Sequence, residues 1–242
     1  MKRISLYVFM LIVLSLALQG CKKDENGNEN GNGNEKAPTT PFVVTISGTI
    51  SHTDHTPGQS GTVTFSRFPF SVAEFKQARE QIGGEPHGAA ALQIMASEMW
   101  RRNNQRGKEC IDLNNTNTNV SSSVVNRLTD VYRASTQRPY QMAAYLKGAS
   151  PENGYNPTKP YTVELRVAAG RPYNHSTDYQ ATVIPLEVIS YGHDSGSVPV
   201  SVLKTNRPGE ASEGKYFIVF ECSSLYLQCK AVSFSAPFNG LD

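Results

Sequence analysis

This sequence predicts an α+β fold, and three observations lead there. Two short runs rich in Val, Ile and Thr follow residue 41. Stretches with helical spacing then fill the region from about residue 71 to Pro139. Beyond Pro139 the apolar period falls to two. Helices and strands segregated along a chain make an antiparallel sheet with helices gathered against it.

The elements follow in order. Phe42–Ile50 and Thr62–Phe65 read as strands, joined by the turn-like SHTDHTPGQSG. Ser71 and Glu74 have capping-box spacing, and Phe70 and Phe75 sit at the staple positions around that cap. Phe75, Ala78 and Ile82 continue as one stripe, which Gly83-Gly84 ends. A second helix is predicted over His87–Asn103, with Leu92, Met95, Ala96 and Met99 inward and Trp100 at the edge. A third follows the serines at 121–123, with Val124, Val125, Leu128, Val131 and Tyr132 inward, and Pro139 bars its continuation. About six strands come next: Tyr140–Leu146, Tyr161–Val167, Gln180–Ile189, Val198–Lys204, Lys215–Glu221 and Leu225–Phe234. Tyr161, Val163, Leu165 and Val167 alternate with Thr162, Glu164 and Arg166, the mark of a half-buried strand. Pro185 and Pro199 point to bulges or edge positions. Helices lying in the concavity of a curved sheet, as in cystatin-like and nuclear-transport-factor-like folds, suit this order.

Residues 1–20 carry Lys2 and Arg3, an apolar run from Ile4 to Leu18, then Gln19-Gly20 before Cys21. That is the layout of a secretory signal, and the run is short for a membrane span. Leu18-Gln19-Gly20-Cys21 resembles the bacterial lipoprotein cleavage box, although Gln19 stands where a small or apolar residue is usual. The resemblance implies a lipidated Cys21 holding the protein on a bilayer. Lys22-Lys23-Asp24-Glu25-Asn26 resembles the short signal that sends Bacteroidetes lipoproteins to the outer face of the outer membrane. Residues 21–40 then form a tether, because NGNENGNGNEK offers no apolar group to offset the entropy of ordering. Its 19 residues from Lys22 to Thr40 span about 25 Å as a coil. Asp24, Asn26, Asn28 and Glu35 match calcium-loop spacing, but Glu29 occupies the position that needs Gly. Residues 41–242 make a single globular domain.

The chain has 23 basic and 21 acidic residues. Loss of Lys2 and Arg3 with the signal leaves a neutral protein, which argues against nucleic acid as a partner. No catalytic residue and no cofactor is expected. His52, Asp54 and His55 cluster in the first loop but fall short of a four-ligand zinc set, so no metal is expected. Ser195 in HDSGS lacks the nucleophile-elbow spacing. Gly83-Gly84 follows a helix instead of opening one, so it cradles no phosphate. With Cys21 lipidated, three thiols remain, and the predicted disulfide joins Cys110 to Cys222 or Cys229. Cys222 and Cys229 would face opposite sides of one unbroken strand.

The surface chosen for binding is the loop Gly148–Pro160, stiffened by three prolines. Glu152, Asn153, Tyr155 and Asn156 are its candidate ligand residues. Arg171 and Tyr173, in the loop beyond the next strand, complete the set.

Arg138-Pro139-Tyr140-Gln141-Met142-Ala143-Ala144-Tyr145-Leu146-Lys147-Gly148, continuing through ASPENGYNPTKP to Tyr161, resembles an uncharacterised domain family of bacterial secreted proteins and lipoproteins. The Tyr191–Gly196 turn and the Lys215–Leu225 strand resemble it too, so the likeness covers roughly residues 65–230. It implies no catalytic role. The functional expectation is therefore a non-catalytic, lipid-anchored surface module that binds an extracellular glycan or protein. A hydrolase of glycan or peptidoglycan is the second reading, and a structural subunit of an outer-membrane complex is the third.

Overall fold

The computed structural model describes residues 37–133, 137–206 and 214–241. The predicted signal, Cys21 and most of the predicted tether lie outside them. The α+β prediction holds: seven antiparallel strands form an open sheet and four helices pack with it. The sheet comprises β1 (Val44–Gly48), β2 (Ser60–Phe65), β3 (Tyr161–Val167), β4 (Asn174–Ser176), β5 (Ala181–Ile189), β6 (Ser197–Leu203) and β7 (Ile218–Glu221). Its order is β1-β2-β3-β5-β6-β7, and β4 pairs with β5. β3 takes the Leu186–Val188 end of β5, while β4 takes the Ala181–Val183 end.

Pro185 falls between those two pairings, where no partner strand needs its missing N–H. Its carbonyl still accepts from Ala168 N–H at 3.0 Å. Pro199 sits on the part of β6 that β7 does not reach. Both prolines therefore avoid breaking a ladder. The expected alternation of β3 is present: its inward residues are buried, and its outward ones join a polar ladder. In that ladder Lys147 pairs with Glu164 at 2.8 Å and Arg166 with Glu187 at 2.6 Å.

The helices are α1 (Val72–Ile82), α2 (Pro86–Arg102), α3 (Asn104–Asn114) and α4 (Thr118–Tyr132). The start of α1 is close to its sequence reading. Ser71 Oγ accepts from Glu74 N–H at 3.2 Å. The Glu74 carboxylate reaches one residue further back than a capping box, accepting from Phe70 N–H at 2.7 Å. Arg67 grips the same carboxylate from both terminal guanidinium nitrogens, at 2.7 and 2.8 Å.

The sequence led us to expect three helices, and four are present among the described residues. Asn103 is the joint: it ends α2, and its side chain accepts from Arg106 N–H at 3.0 Å to start α3. α3 lies so close to α2 that a Cβ on Gly107 would enter the backbone of Trp100. α4 begins before the serines, capped by Asn117, whose side chain accepts from Asn119 and Val120 N–H.

α2 is the centre of the molecule. Every residue from Pro86 to Met99 is buried, including Gln93, Ser97 and Glu98. One side of α2 meets the sheet and the other meets the remaining helices. Glu98, with no exposed surface, accepts from Arg101 at 2.6 Å and from Arg102 at 3.1 Å.

His87, at the start of α2, also has no exposed surface, and its ring fills the space that a Cβ on Gly61 would take. Burial disfavours the imidazolium and pulls its pKa down to about 4. The unfolded chain therefore takes up a proton between about pH 6.5 and pH 4 that the folded chain does not. Stability is complete above that window and falls as pH drops through it, by about 3 kcal/mol. Urea midpoints at pH 7 and pH 4.5 check this. The acid-induced drop should shrink in His87→Asn, and an unchanged drop would remove His87 as its cause.

Two predicted strands are not strands. Tyr140–Leu146 forms turns and a 3-10 helix at Ala143–Tyr145. Leu225–Phe234 begins in a 3-10 helix, Ser223–Tyr226, and continues as irregular chain. β4 was not anticipated, because three residues are too few to show a period.

Candidate functional site

The proline-bounded loop folds on itself. Ser150–Asn153 makes a complete capping box, with Asn153 N–H donating to Ser150 Oγ at 3.2 Å and Ser150 N–H to Asn153 Oδ1 at 2.8 Å. Asn153 Nδ2 donates to Gly148 O at 2.7 Å, and Asn156 Nδ2 donates to Asn153 O at 2.7 Å. Both side-chain amides are thus spent within the loop.

Tyr155 corrects the sequence reading most sharply. It is fully buried, lies parallel to Tyr140 with ring centroids 5.0 Å apart, and donates its hydroxyl to Lys230 O at 2.8 Å. Burial raises its pKa far above the ordinary phenol value. Gly192 makes room for it, since a Cβ there would stand 2.7 Å from the Tyr155 hydroxyl. Its backbone takes the left-handed conformation, with φ 52°.

Glu152 remains exposed, its pKa lowered by its own backbone N–H and by Ser150. Arg171 is exposed as well. Tyr173 is half-buried against the first loop, donating to Ser51 O at 2.6 Å and meeting His55 edge-on. The two candidate groups flank opposite ends of β3, seven residues long, so about 20 Å of strand separates them. No single site unites them. His52 and His55 likewise diverge, packing edge-on against Phe217 and Tyr173 respectively.

The predicted disulfide is not formed. Cys110, Cys222 and Cys229 are three buried free thiols. Cys110 faces Met99 from α3, with sulfurs 3.6 Å apart. Cys222 sits 3.9 Å from the Tyr226 hydroxyl. Burial raises the pKa of both to about 12 and that of Cys229 to about 11. The residues from Cys222 to Cys229 do not form the unbroken strand on which the pairing was reasoned.

What the loop holds is the chain's own C-terminal segment. Ser233 N–H donates to Pro151 O at 2.8 Å, and Lys230 N–H to Gly192 O at 2.8 Å. Gly154, with φ +66°, lies so close that a Cβ would be 2.5 Å from the carbonyl oxygens of Ala236 and Pro237. Phe238 meets Tyr140 edge-on, and Arg102 donates to Leu241 O.

Further back, Gln141 Nε2 donates to Leu225 O at 3.0 Å and Leu227 O at 2.7 Å, and Tyr145 donates to Leu225 O at 2.8 Å. His193 stacks on Tyr145, with Nε2 3.1 Å from Leu227 O and Nδ1 2.7 Å from Ser190 Oγ. Burial lowers the His193 pKa, which favours the neutral ring. Ser195 instead donates to Ser197 O at 2.6 Å, closing the turn. Ser190 was missed in the sequence, where Ser-x-x-His spacing was its only signal. At 5% exposure it serves to lock that turn.

The block from Tyr140 to Tyr155 is therefore a socket, and residues 225–241 are a strap seated in it. The outer side of the strap is the surface that remains available. Of the three exposed large hydrophobic residues among the described ones, Leu227 and Phe234 lie on the strap, with Phe234 fully exposed. Lys230, between them in the sequence, pairs with Asp194 at 2.6 Å.

A family model described as a domain of unknown function, DUF6935, matches residues 67–233. No curated protein and no solved structure matches.

Proposed function

This chain belongs to the DUF6935 family, a domain of unknown function, and from that starting point we propose that it is a lipid-anchored surface module that binds an extracellular protein through the strap. The observation that carries this reading is the placement of Leu227 and Phe234 on one segment, outward and unsheltered. Exposed aromatic and aliphatic side chains framed by charge make the anchors and rim of a protein interface. A glycan needs a stacking face but gains little from Leu227. The cleavage box at Cys21 and the polar tether support display away from a bilayer.

The test is a photo-cross-linking residue placed at 227 or 234 of the full chain in its native host. Both positions should give the same discrete protein adduct, and exposed position 178 should not. A Cys21→Ser chain should release the protein from membranes and lose the adduct. Absence of adduct at both strap positions, or equal labelling at 178, would overturn the reading. Adducts that disappear on glycosidase treatment would move it to a glycan.

A further inference from the structure

A second surface, between α4 and the chain that leads into the strap, carries chemistry of its own. Between α4 and the end of β7 lies a half-open groove of about 140 Å³. Ser123, Val124 and Arg127 supply one wall from a single face of α4, since residues three and four apart align on a helix. Glu221 stands on the other wall, and Cys222 and Tyr226 line the buried floor.

Arg127 makes no hydrogen bond or ion pair with any described residue. Among the described residues Glu221 accepts only from Ser223 N–H, at 2.6 Å through Oε1, which leaves Oε2 open to the groove. Two opposite charges thus face one groove without neutralising each other. Both sit near enough to the Cys222 thiol to bias it, in opposite directions.

We propose that this groove binds a compact zwitterion, a free α-amino acid, with its carboxylate on Arg127 and its ammonium on Glu221. Size and charge both point there. Sites for drug-sized ligands occupy about 300–1,000 Å³, so an oligosaccharide or folded peptide does not fit this one. The groove between Phe70, Met99 and Arg106, at about 10 Å³, holds about one water and nothing larger. A plain anion would leave Glu221 facing it, and a plain cation would face Arg127. Val124 and Phe220 offer apolar surface for a short side chain. Recognition is non-covalent, because the Cys222 thiol, pushed up to about 12 by burial, stays protonated at neutral pH.

The experiment uses the full chain in detergent micelles and follows binding of L-alanine and D-alanine by calorimetry. Propionate and ethylamine serve as probes that each carry one of the two charges. Saturable alanine binding is expected, with propionate and ethylamine at least tenfold weaker. Arg127→Gln and Glu221→Gln should each weaken alanine at least tenfold, with unchanged circular dichroism, since both side chains are exposed. No saturation by either alanine up to about 10 mM would overturn the proposal. So would equal binding of propionate, or binding that survives both substitutions. Arg127 and Glu221 are not on the strap, and Leu227 and Phe234 do not line the groove, so a failure here leaves the protein-binding reading standing, and the reverse also holds.

Discussion

Tyr155→Ala is expected to destabilise the fold by about 3–5 kcal/mol, the range for removing a fully buried aromatic ring. The ring fills the space between Tyr140 and Gly192, and its hydroxyl holds Lys230 of the strap. For a domain of this size the melting temperature should fall by roughly 10 °C. Tyr155→Phe keeps the stack and loses only the bond to Lys230 O, so its cost should be about 1 kcal/mol. Limited proteolysis gives a second readout: the alanine variant should be cut within 228–238 well before global unfolding. Had Tyr155 been a ligand anchor, its removal would leave the melting temperature unchanged. That result would sink the socket description.

Glu98→Ala should cost a similar amount, about 3–5 kcal/mol, because it removes one carboxylate from two guanidiniums held close to it. Arg102 also lies over Phe68 and donates to Leu241 O, so the loss reaches the end of the strap. Glu98→Gln should fall between, keeping the shape and an acceptor but not the charge. Urea midpoints at neutral pH measure both. A cost below about 1 kcal/mol for Glu98→Ala would mean that these arginines are solvated as ordinary surface charges.

The sequence was most legible where one face of an element meets water. β3 alternates because its outer residues form a polar ladder, and α1 shows a stripe because its outer face is solvated. It was least legible where burial is complete. α2 has water on no side along most of its length, so Gln93, Ser97 and Glu98 read as an outer face although they are inside. Tyr140–Leu146 is an apolar run that periodicity cannot assign between strand and helical turn. Leu225, Leu227 and Cys229 alternate, yet the carbonyls of Leu225 and Leu227 go to the Gln141 and Tyr145 side chains and not to a neighbouring strand.

The candidate site failed for the same reason. A tyrosine in a loop rich in Pro and Asn looks exposed, because the strap that covers it comes some eighty residues later, and nothing local announces it. The resemblance block was visible in the sequence, but its role as a socket depends on residues beyond it.

The pairing of β2 with β3 has a consequence for how the chain comes to be. Thr64 and Thr162 share a cross-strand contact across 98 positions, with all four helices in between. At about 5–20 residues per second, a ribosome separates the synthesis of these two strands by roughly 5–20 s. During that interval β1 and β2 are a lone hairpin, which is marginal in water and carries an unpaired backbone edge open to other chains. The topology thus makes folding a late, whole-chain event governed by loop closure. It also makes the nascent hairpin the segment most in need of a holding chaperone.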